Sequence, residues 1–166
     1  MVPPTTARVR FRRFRPEDAV AVEEMFADTQ ARTFFPHMAG RAAAEGWVRW
    51  SLENYSRVGV GLWVIEDAAT AALLGDCGLT YQRVEGERLL ELGYHLKEEH
   101  RGLGYATEAG RACLDFALRE LLAPVVCSIV DPQNTPSIGV ASRLHSFGRV
   151  FTNSYDEPML LFWTEA

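Results

Sequence analysis

The 166-residue sequence has few cysteines and no long apolar segment. Cys77, Cys113 and Cys127 are an odd number without CxxC spacing, so neither a disulfide framework nor a zinc site is expected. Each lies in an apolar stretch, which favours buried, reduced thiols. The N-terminus lacks the apolar run that a secretory signal or a membrane span requires. We therefore expect a cytoplasmic protein that has no membrane partner and holds no metal.

The sequence also has no excess of positive charge, because 17 Lys and Arg stand against 22 Asp and Glu and the formal net charge is −5. Domains that bind nucleic acid are usually basic, so a nucleic-acid partner is not expected. The composition of 48% hydrophobic and 23% charged residues is that of an ordinary globular protein. The length corresponds to about one domain, and no repeat, low-complexity tract or linker interrupts it. The sequence predicts a single domain over residues 1–166.

The spacing of apolar residues switches along the chain between the helical period of about 3.6 and the strand period of about 2, in a defined order. The predicted elements are a strand at 8–15, a helix after Pro16, an aromatic loop at 33–40, a helix at 41–56, strands at 62–66, 72–81 and 88–96, a helix at 104–122, a strand at 125–130, a helix from Pro136 to about His145 with Thr135 as its N-cap, and strands at 149–153 and 159–164. This order predicts an α/β (α+β) protein with one mixed sheet covered by helices.

The most informative segment follows the strand at 88–96, where a glycine-containing loop leads directly into a helix. Such a junction exposes unpaired backbone N–H groups, reinforced by about half a positive charge from the helix dipole. It is a typical phosphate or pyrophosphate site. Gly102 and Gly104 allow a sharp turn and a close approach to the ligand, and Ala106 keeps the first helical turn small. Arg101 and Thr107 can add side-chain donors.

Two other phosphate-binding motifs could in principle place glycines at such a loop. A Walker A loop ends in Gly-Lys-Ser/Thr, and that ending is not present. A dinucleotide fingerprint is the nearer competitor, with Asp131 placed where a ribose-binding acid could lie. Its third glycine position is Thr107, however, and the chain has too few parallel βαβ units for that fold. The dinucleotide interpretation ranks second.

The hexapeptide from Arg101 to Ala106 resembles the Arg/Gln-x-x-Gly-x-Gly/Ala signature of the GNAT superfamily of N-acetyltransferases. The flanking segments Glu-Leu-Gly-Tyr-His-Leu (91–96) and Gly-Tyr-Ala-Thr-Glu-Ala (104–109) resemble the branch that contains the ribosomal-protein N-terminal (alanine) acetyltransferases. With the element order, the Arg-Pro-Glu-Asp-Ala segment at 15–19, the strand at 74–79 and Asn134-x-x-Ser137, the similarity covers nearly the whole chain. It departs from the family's pattern at 142–148, so the turn into the sixth strand is expected to be altered.

The resemblance implies a GNAT fold and acetyl-coenzyme A as co-substrate. That fold is a mixed, mostly antiparallel sheet of about six or seven strands flanked by about four helices, with strands 4 and 5 splayed. The backbone amides of residues 101–106 would hold the coenzyme pyrophosphate, and the pantetheine arm would lie between the strands at 88–96 and 125–131. The residues expected to bind the coenzyme are Tyr94, His95, Leu96, Arg101, Gly102, Leu103, Gly104, Tyr105, Ala106, Thr107 and Asn134.

Acetyl transfer to an amine also needs proton-transferring groups. An amine is mostly protonated near neutral pH, so a base is required in the cleft. Glu91 is the candidate, with an ordinary ion-paired glutamate as the competing interpretation, and His95 on the same strand face is the reserve candidate or a structural histidine. Backbone N–H groups at 94–96, where similar proteins have a bulge, would stabilise the oxyanion. By resemblance, Ser137 is the acid near the sulfur, while Asn134 binds the pantetheine arm, caps its helix, or does both.

The sequence therefore predicts an N-acetyltransferase that works by direct attack of a primary amine on acetyl-coenzyme A. The acceptor is a protein N-terminal α-amine or a small-molecule amine, and a catalytically silent acyl-coenzyme A sensor is the alternative function. Some relatives form dimers, so a homodimer stays open. In similar proteins the acceptor cleft is walled by elements that here carry Phe34, Phe35, Trp47, Trp50, Tyr81 and Tyr155.

Overall fold

The computed structural model describes all 166 residues, and a seven-stranded sheet of order β1-β2-β3-β4-β5-β7-β6 forms its centre. The strands are β1 (Val9–Arg12), β2 (Leu62–Asp67), β3 (Leu73–Val84), β4 (Glu87–Leu96), β5 (Val125–Val130), β6 (Phe147–Thr152) and β7 (Pro158–Glu165). Neighbouring strands are antiparallel except β4 and β5, which are parallel. The predicted mixed, mostly antiparallel sheet is confirmed.

The helices are α1 (Ala19–Met25), α2 (Thr29–Phe34), α3 (Arg41–Arg57), α4 (Tyr105–Arg119) and α5 (Thr135–Leu144). Helix α2 was not expected, because part of it lies in the segment at 33–40 that reads as a loop. Its first turn is capped by Asp28, whose side chain accepts a hydrogen bond from the Ala31 amide at 3.1 Å. None of the helices combines the length and apolarity needed to cross a membrane.

The helices cover both faces of the sheet. The larger apolar cluster joins one face to α4, and the second joins the other face to α1, α2 and α3. Strand β2 shows the alternation that this requires, since Trp63 and Ile65 belong to the first cluster and Val64 to the second. The three cysteines are buried and reduced, as expected.

The β3–β4 hairpin keeps one register from Val84 opposite Glu87 to Gly75 opposite Leu96. Its turn residues, Glu85 and Gly86, have φ values of 50° and 89°, the pattern of a type I′ turn. The bulge expected at residues 94–96 is therefore not found in this pairing. Because the register is unbroken, Glu91 and His95 lie on the face of α1–α3, opposite to Leu92 and Leu96.

Strands β4 and β5 separate soon after they meet. They pair only through Leu90 with Val126 and Glu91 with Cys127. Just beyond these pairs, the Ser128 hydroxyl donates to the Leu92 carbonyl oxygen at 2.8 Å, so a side chain bridges the two strands where they begin to diverge. The predicted splay is confirmed, and it opens a gap in the sheet beside residues 94–96.

Candidate functional site

A cleft of about 1370 Å³ begins at the gap between β4 and β5 and runs to the start of α4. The predicted site residues that line it are Tyr94, His95, Leu96, Arg101, Gly102, Gly104, Ala106, Thr107, Asn134 and Ser137. On the other side it is walled by residues of α1 and α2, including Phe34 and Phe35. Glu91, Leu103 and Tyr105 are not among the lining residues.

The backbone amides of residues 102–107 donate to no acceptor within the chain. Gly102 and Gly104 have φ values of 73° and 85°, which place the loop in a conformation that glycine tolerates best. A side chain added at Gly102 would meet no atom within 4 Å, so space lies beside the loop. Free amides at the start of a 15-residue helix fit a diphosphate. The Arg101 amide, also expected to bind there, instead donates to the Glu98 carbonyl oxygen at 3.2 Å.

The Arg101 side chain is also engaged within the protein. Its guanidinium donates to both carboxylate oxygens of Asp28, at 2.8 and 2.7 Å, and to the Leu96 carbonyl oxygen. The hydrogen bond from Arg101 lowers the pKa of Asp28 to about 2. Arg101 therefore joins the loop to the N-terminus of α2, which corrects the expectation that its side chain is a free phosphate donor.

An ion pair that the sequence did not reveal holds the first turn of α4. Glu108 accepts hydrogen bonds from the Arg8 side chain at 2.6 Å, the Arg8 amide at 2.9 Å and the Thr6 hydroxyl at 2.6 Å. The Arg8 guanidinium also lies 4.7 Å from the centre of the Tyr105 ring and donates to the Leu103 carbonyl oxygen. The Leu103 carbonyl oxygen and the Tyr105 ring thus contribute to the support of the loop, while the amides of both residues donate to no acceptor within the chain.

The main chain of β4 presents its even-numbered residues to the gap. The Lys97 amide donates to the Leu74 carbonyl oxygen at 3.0 Å, so odd-numbered residues of this strand bond to β3. The amides of Tyr94 and Leu96 therefore point toward β5, where no strand pairs with them. This is the geometry that a pantetheine arm or an oxyanion would need.

Helix α5 forms the opposite side of the gap. Asn134, rather than the expected Thr135, is its N-cap, and its side-chain oxygen accepts from the Ser137 amide at 3.2 Å. The Asn134 side-chain nitrogen has no partner within the chain and is available to a ligand. The Tyr94 hydroxyl donates to the Ser137 carbonyl oxygen at 3.0 Å, which fixes α5 to β4. The Ser137 hydroxyl makes no bond within the chain.

Glu91 lies at the closed end of the β4–β5 pair, outside the cleft lining. Burial raises the pKa of this carboxyl group, and hydrogen bonds from Thr80 and Gln82 oppose the shift. The Thr80 hydroxyl is 3.2 Å from the Glu91 carboxylate. A raised pKa suits a general base, whereas the position is set back from the cleft. The role of Glu91 stays a prediction.

His95 has a partner that the sequence pattern did not indicate. Its Nδ1 is 2.7 Å from an oxygen of Asp76, a residue with no exposed surface. The other Asp76 oxygen accepts from the Trp47 indole at 2.8 Å. The rings of Phe35, Phe26 and Trp47 pack around the imidazole with centres 4.9, 5.4 and 5.4 Å away. Of the predicted aromatic wall, Phe34 and Phe35 line the cleft. Trp47 contacts His95 but does not line the cleft, and neither do Trp50, Tyr81 and Tyr155.

A second histidine network lies at the point where β4 and β5 separate. His145 Nε2 is 3.0 Å from the Ser128 hydroxyl, and His145 Nδ1 is 3.2 Å from the Thr164 hydroxyl. Because the Ser128 hydroxyl donates to Leu92, it accepts from a protonated Nε2, and Nδ1 accepts from Thr164. Burial, together with the positive charge of Arg111, lowers the pKa of His145 to about 4. The network therefore contains a neutral imidazole.

Comparison with known proteins gives consistent results over the whole chain. A family model described as acetyltransferase (GNAT) domain matches residues 8–146. The uncharacterized protein YkkB of Bacillus subtilis (strain 168) is 32% identical over 158 residues, which are 95% of this chain and 92% of YkkB. A crystal structure of an acetyltransferase from Agrobacterium tumefaciens str. C58 has a TM-score of 0.84 at 27% identity and covers 100% of this chain and 95% of its own.

The structural neighbours also include RimL, a ribosomal L7/L12 α-N-protein acetyltransferase in complex with coenzyme A. Its TM-score is 0.81 at 12% identity, with 99% of this chain and 98% of RimL covered, and this likeness shows a shared fold. The family match extends over most of the chain and includes the loop at 101–107. The chain therefore belongs to the GNAT family of acetyl-coenzyme A-dependent acetyltransferases.

Proposed function

We propose that this protein transfers the acetyl group of acetyl-coenzyme A to a primary amine, either the α-amine of a protein N-terminus or the amine of a small molecule. The observation that carries the proposal is the run of free amides at residues 102–107, which opens into the same cleft as the unpaired β4 edge. One end of the cleft suits a diphosphate, and the other end is apolar and leads to α1 and α2.

The residues around the gap are suited to position a thioester. The amides of Gly102 to Thr107 would bind the diphosphate, with Ala106 leaving room at the first turn of α4. The Asn134 amide nitrogen and the β4 main chain would hold the pantetheine arm as an added strand. When bound, acetyl-coenzyme A supplies an activated acetyl thioester, so a neutral amine can attack it directly.

Two proton-transfer roles follow for side chains of this chain. A base on the α1–α3 face of β4, where Glu91 and His95 both lie, would take the proton of the incoming ammonium. Ser137 lines the cleft with an unengaged hydroxyl and would assist protonation of the leaving sulfur. The amides of Tyr94 and Leu96 would donate to the carbonyl oxygen as negative charge develops on it.

Release of free thiol from acetyl-coenzyme A tests the proposal directly. The acceptor panel should contain peptides beginning with alanine or serine, since RimL acts on a protein α-amine, together with tyramine and putrescine. We expect thiol release with at least one acceptor and a melting temperature raised by coenzyme A but not by NAD. Binding without thiol release on any acceptor would favour the sensor function, and absence of coenzyme binding would contradict the site itself.

A matched pair of variants checks the loop at 102–107. Gly104→Asp places a carboxylate beside the proposed diphosphate and should abolish coenzyme binding by charge repulsion. Gly86→Asp makes the same change at an exposed glycine of similar φ, 89° against 85°, in the β3–β4 turn outside the cleft. It should bind coenzyme A as the unchanged protein does. Equal affinities in the two variants would place the diphosphate elsewhere.

A further inference from the structure

The pairing of His95 with Asp76 goes beyond what the strand pattern of β4 indicates. Asp76 has no exposed surface, and its carboxylate accepts hydrogen bonds from His95 Nδ1 at 2.7 Å and from the Trp47 indole at 2.8 Å. A buried carboxylate with two hydrogen-bond donors is held in a fixed orientation. A carboxylate can only accept, so His95 must carry its proton on Nδ1.

The second imidazole nitrogen of His95 then carries a lone pair. Nε2 has no hydrogen-bond partner within the chain. The buried polar side-chain atoms that lack a partner are Ser51 Oγ and Trp63 Nε1, and Nε2 of His95 is not among them. Nε2 is therefore not buried in the core but reachable from the cleft. The His95 side chain keeps 13% of its surface exposed, and the residue lines the cleft. The lone pair of Nε2 is the accessible basic group of this pair.

The surroundings of His95 restrict it to one orientation. Phe26 after α1, Phe35 after α2 and Trp47 on α3 surround the imidazole with their rings. These neighbours carry no charge, and the charged groups near His95 include Asp76 on β3 and Glu91 on β4. A ring fixed by three aromatic neighbours and a hydrogen-bonded Nδ1 has little freedom to turn away from the cleft.

We propose that His95 is the catalytic base of the acetyl transfer, and that Asp76 is its positioning residue. This rests on the proposed function and assigns the base to His95 in place of Glu91. Imidazole gains and loses a proton near neutral pH, and an aspartate that holds the opposite nitrogen both fixes the tautomer and stabilises the imidazolium that forms.

The proton and electron balance of the step is complete without any further reactant. The acceptor ammonium gives one proton to Nε2, and the freed lone pair forms the C–N bond to the acetyl carbon as the C–S bond breaks. The second N–H proton of the attacking nitrogen ends on the sulfur, which leaves as the thiol. His95 returns its proton to solvent.

The acceptor amine therefore approaches from the side of α1 and α2. The cleft wall there is formed by Met25, Phe34 and Phe35, so an amine whose neighbouring group is apolar or aromatic fits it best. Among the probes, tyramine and a peptide with an apolar second residue should be acetylated with higher kcat/KM than putrescine, which would bring a second ammonium group against this wall.

The first test is the pH dependence of kcat/KM for His95→Gln with the best peptide acceptor. At pH 7 we expect a decrease of about 10²-fold or more, the usual contribution of a general base. The deficit should shrink as pH rises above about 8, because an α-amine then loses its proton without help. A deficit that is the same at every pH would show a structural role and overturn the proposal, as would unchanged kcat/KM. His37→Gln, at an exposed histidine outside the cleft, is the control and should behave as the unchanged protein.

The second test does not depend on finding the acceptor. In ¹H–¹⁵N correlation spectra of the imidazoles near neutral pH, the His95 signal, identified by its loss in His95→Gln, should be the Nδ1–H tautomer. Asp76→Asn should shift it toward the Nε2–H form, because an asparagine amide can donate to Nδ1. Trp47→Phe, which removes one hydrogen bond to Asp76, should have a smaller effect on the same signal. A His95 that carries its proton on Nε2, or on both nitrogens, would refute the proposal even if no acceptor is acetylated. Absence of thiol release on every probe would instead contradict the proposed function.

Discussion

The His145 network makes a quantitative prediction about stability at mildly acid pH. The pKa of His145 is about 4 in the folded protein, against an ordinary value of 6.5 in the unfolded chain. Between these values the unfolded chain binds more protons, so stability rises with pH and is lost as pH falls from 6.5 toward 4. The difference in protonation lowers the free energy of unfolding by about 2 kcal/mol between pH 7 and pH 5.

Urea unfolding of the protein and of His145→Gln at pH 5, 6 and 7 measures this contribution. The glutamine variant lacks the titrating group, so its stability should fall less over this range, by about 2 kcal/mol. Other titrating groups, Glu91 included, contribute to both proteins and largely cancel in the difference. His37→Gln should keep the slope of the unchanged protein. Parallel curves for the protein and His145→Gln would refute the buried, neutral imidazole.

Three further predictions concern the supports of the cleft. Asn134→Ser should keep the cap of α5 and most of the stability but weaken coenzyme A binding in calorimetry. Asn134→Ala should weaken binding and also lower the free energy of unfolding by about 1 kcal/mol. If both variants bound coenzyme A as the unchanged protein does, Asn134 would have the cap role alone. Arg101→Lys cannot serve Asp28 and the main chain together, so α2 should become more susceptible to limited proteolysis, and unchanged cleavage would contradict the link. Glu108→Gln should cost about 0.5–1 kcal/mol in urea unfolding, since its ion pair is partly exposed, with loosening of residues 1–8 in hydrogen exchange.

Much of the fold follows from local pattern. The strand and helix periods predicted most of the element order and the mixed sheet, whereas the family resemblance implied the splay between β4 and β5; the structure confirms both. Helix α2 was missed because the aromatic segment at 33–40 reads as a loop, and because its cap residue, Asp28, is anchored by Arg101, which is 73 positions away in sequence. No local pattern contains that contact.

The candidate site likewise has a part that the sequence predicted and a part that it did not. The backbone part was predictable, because the free amides follow from a strand, a glycine loop and a helix in succession. The side-chain part was not, since Asp76 reads as an ordinary strand residue until β3 pairs with β4 and places it opposite His95. The Arg8–Glu108 and Ser128–His145 contacts likewise join residues far apart in sequence.

The hairpin turn at Glu85 and Gly86 has an influence well beyond its own neighbourhood. Strand side chains alternate, so inserting one residue after Gly86 and re-pairing β4 by one position would exchange the two faces of the strand. Tyr94 would then turn toward α1–α3 and His95 toward α4, with every cleft residue still present in the sequence. The spacing of a distant surface turn thus dictates which chemistry faces the substrate.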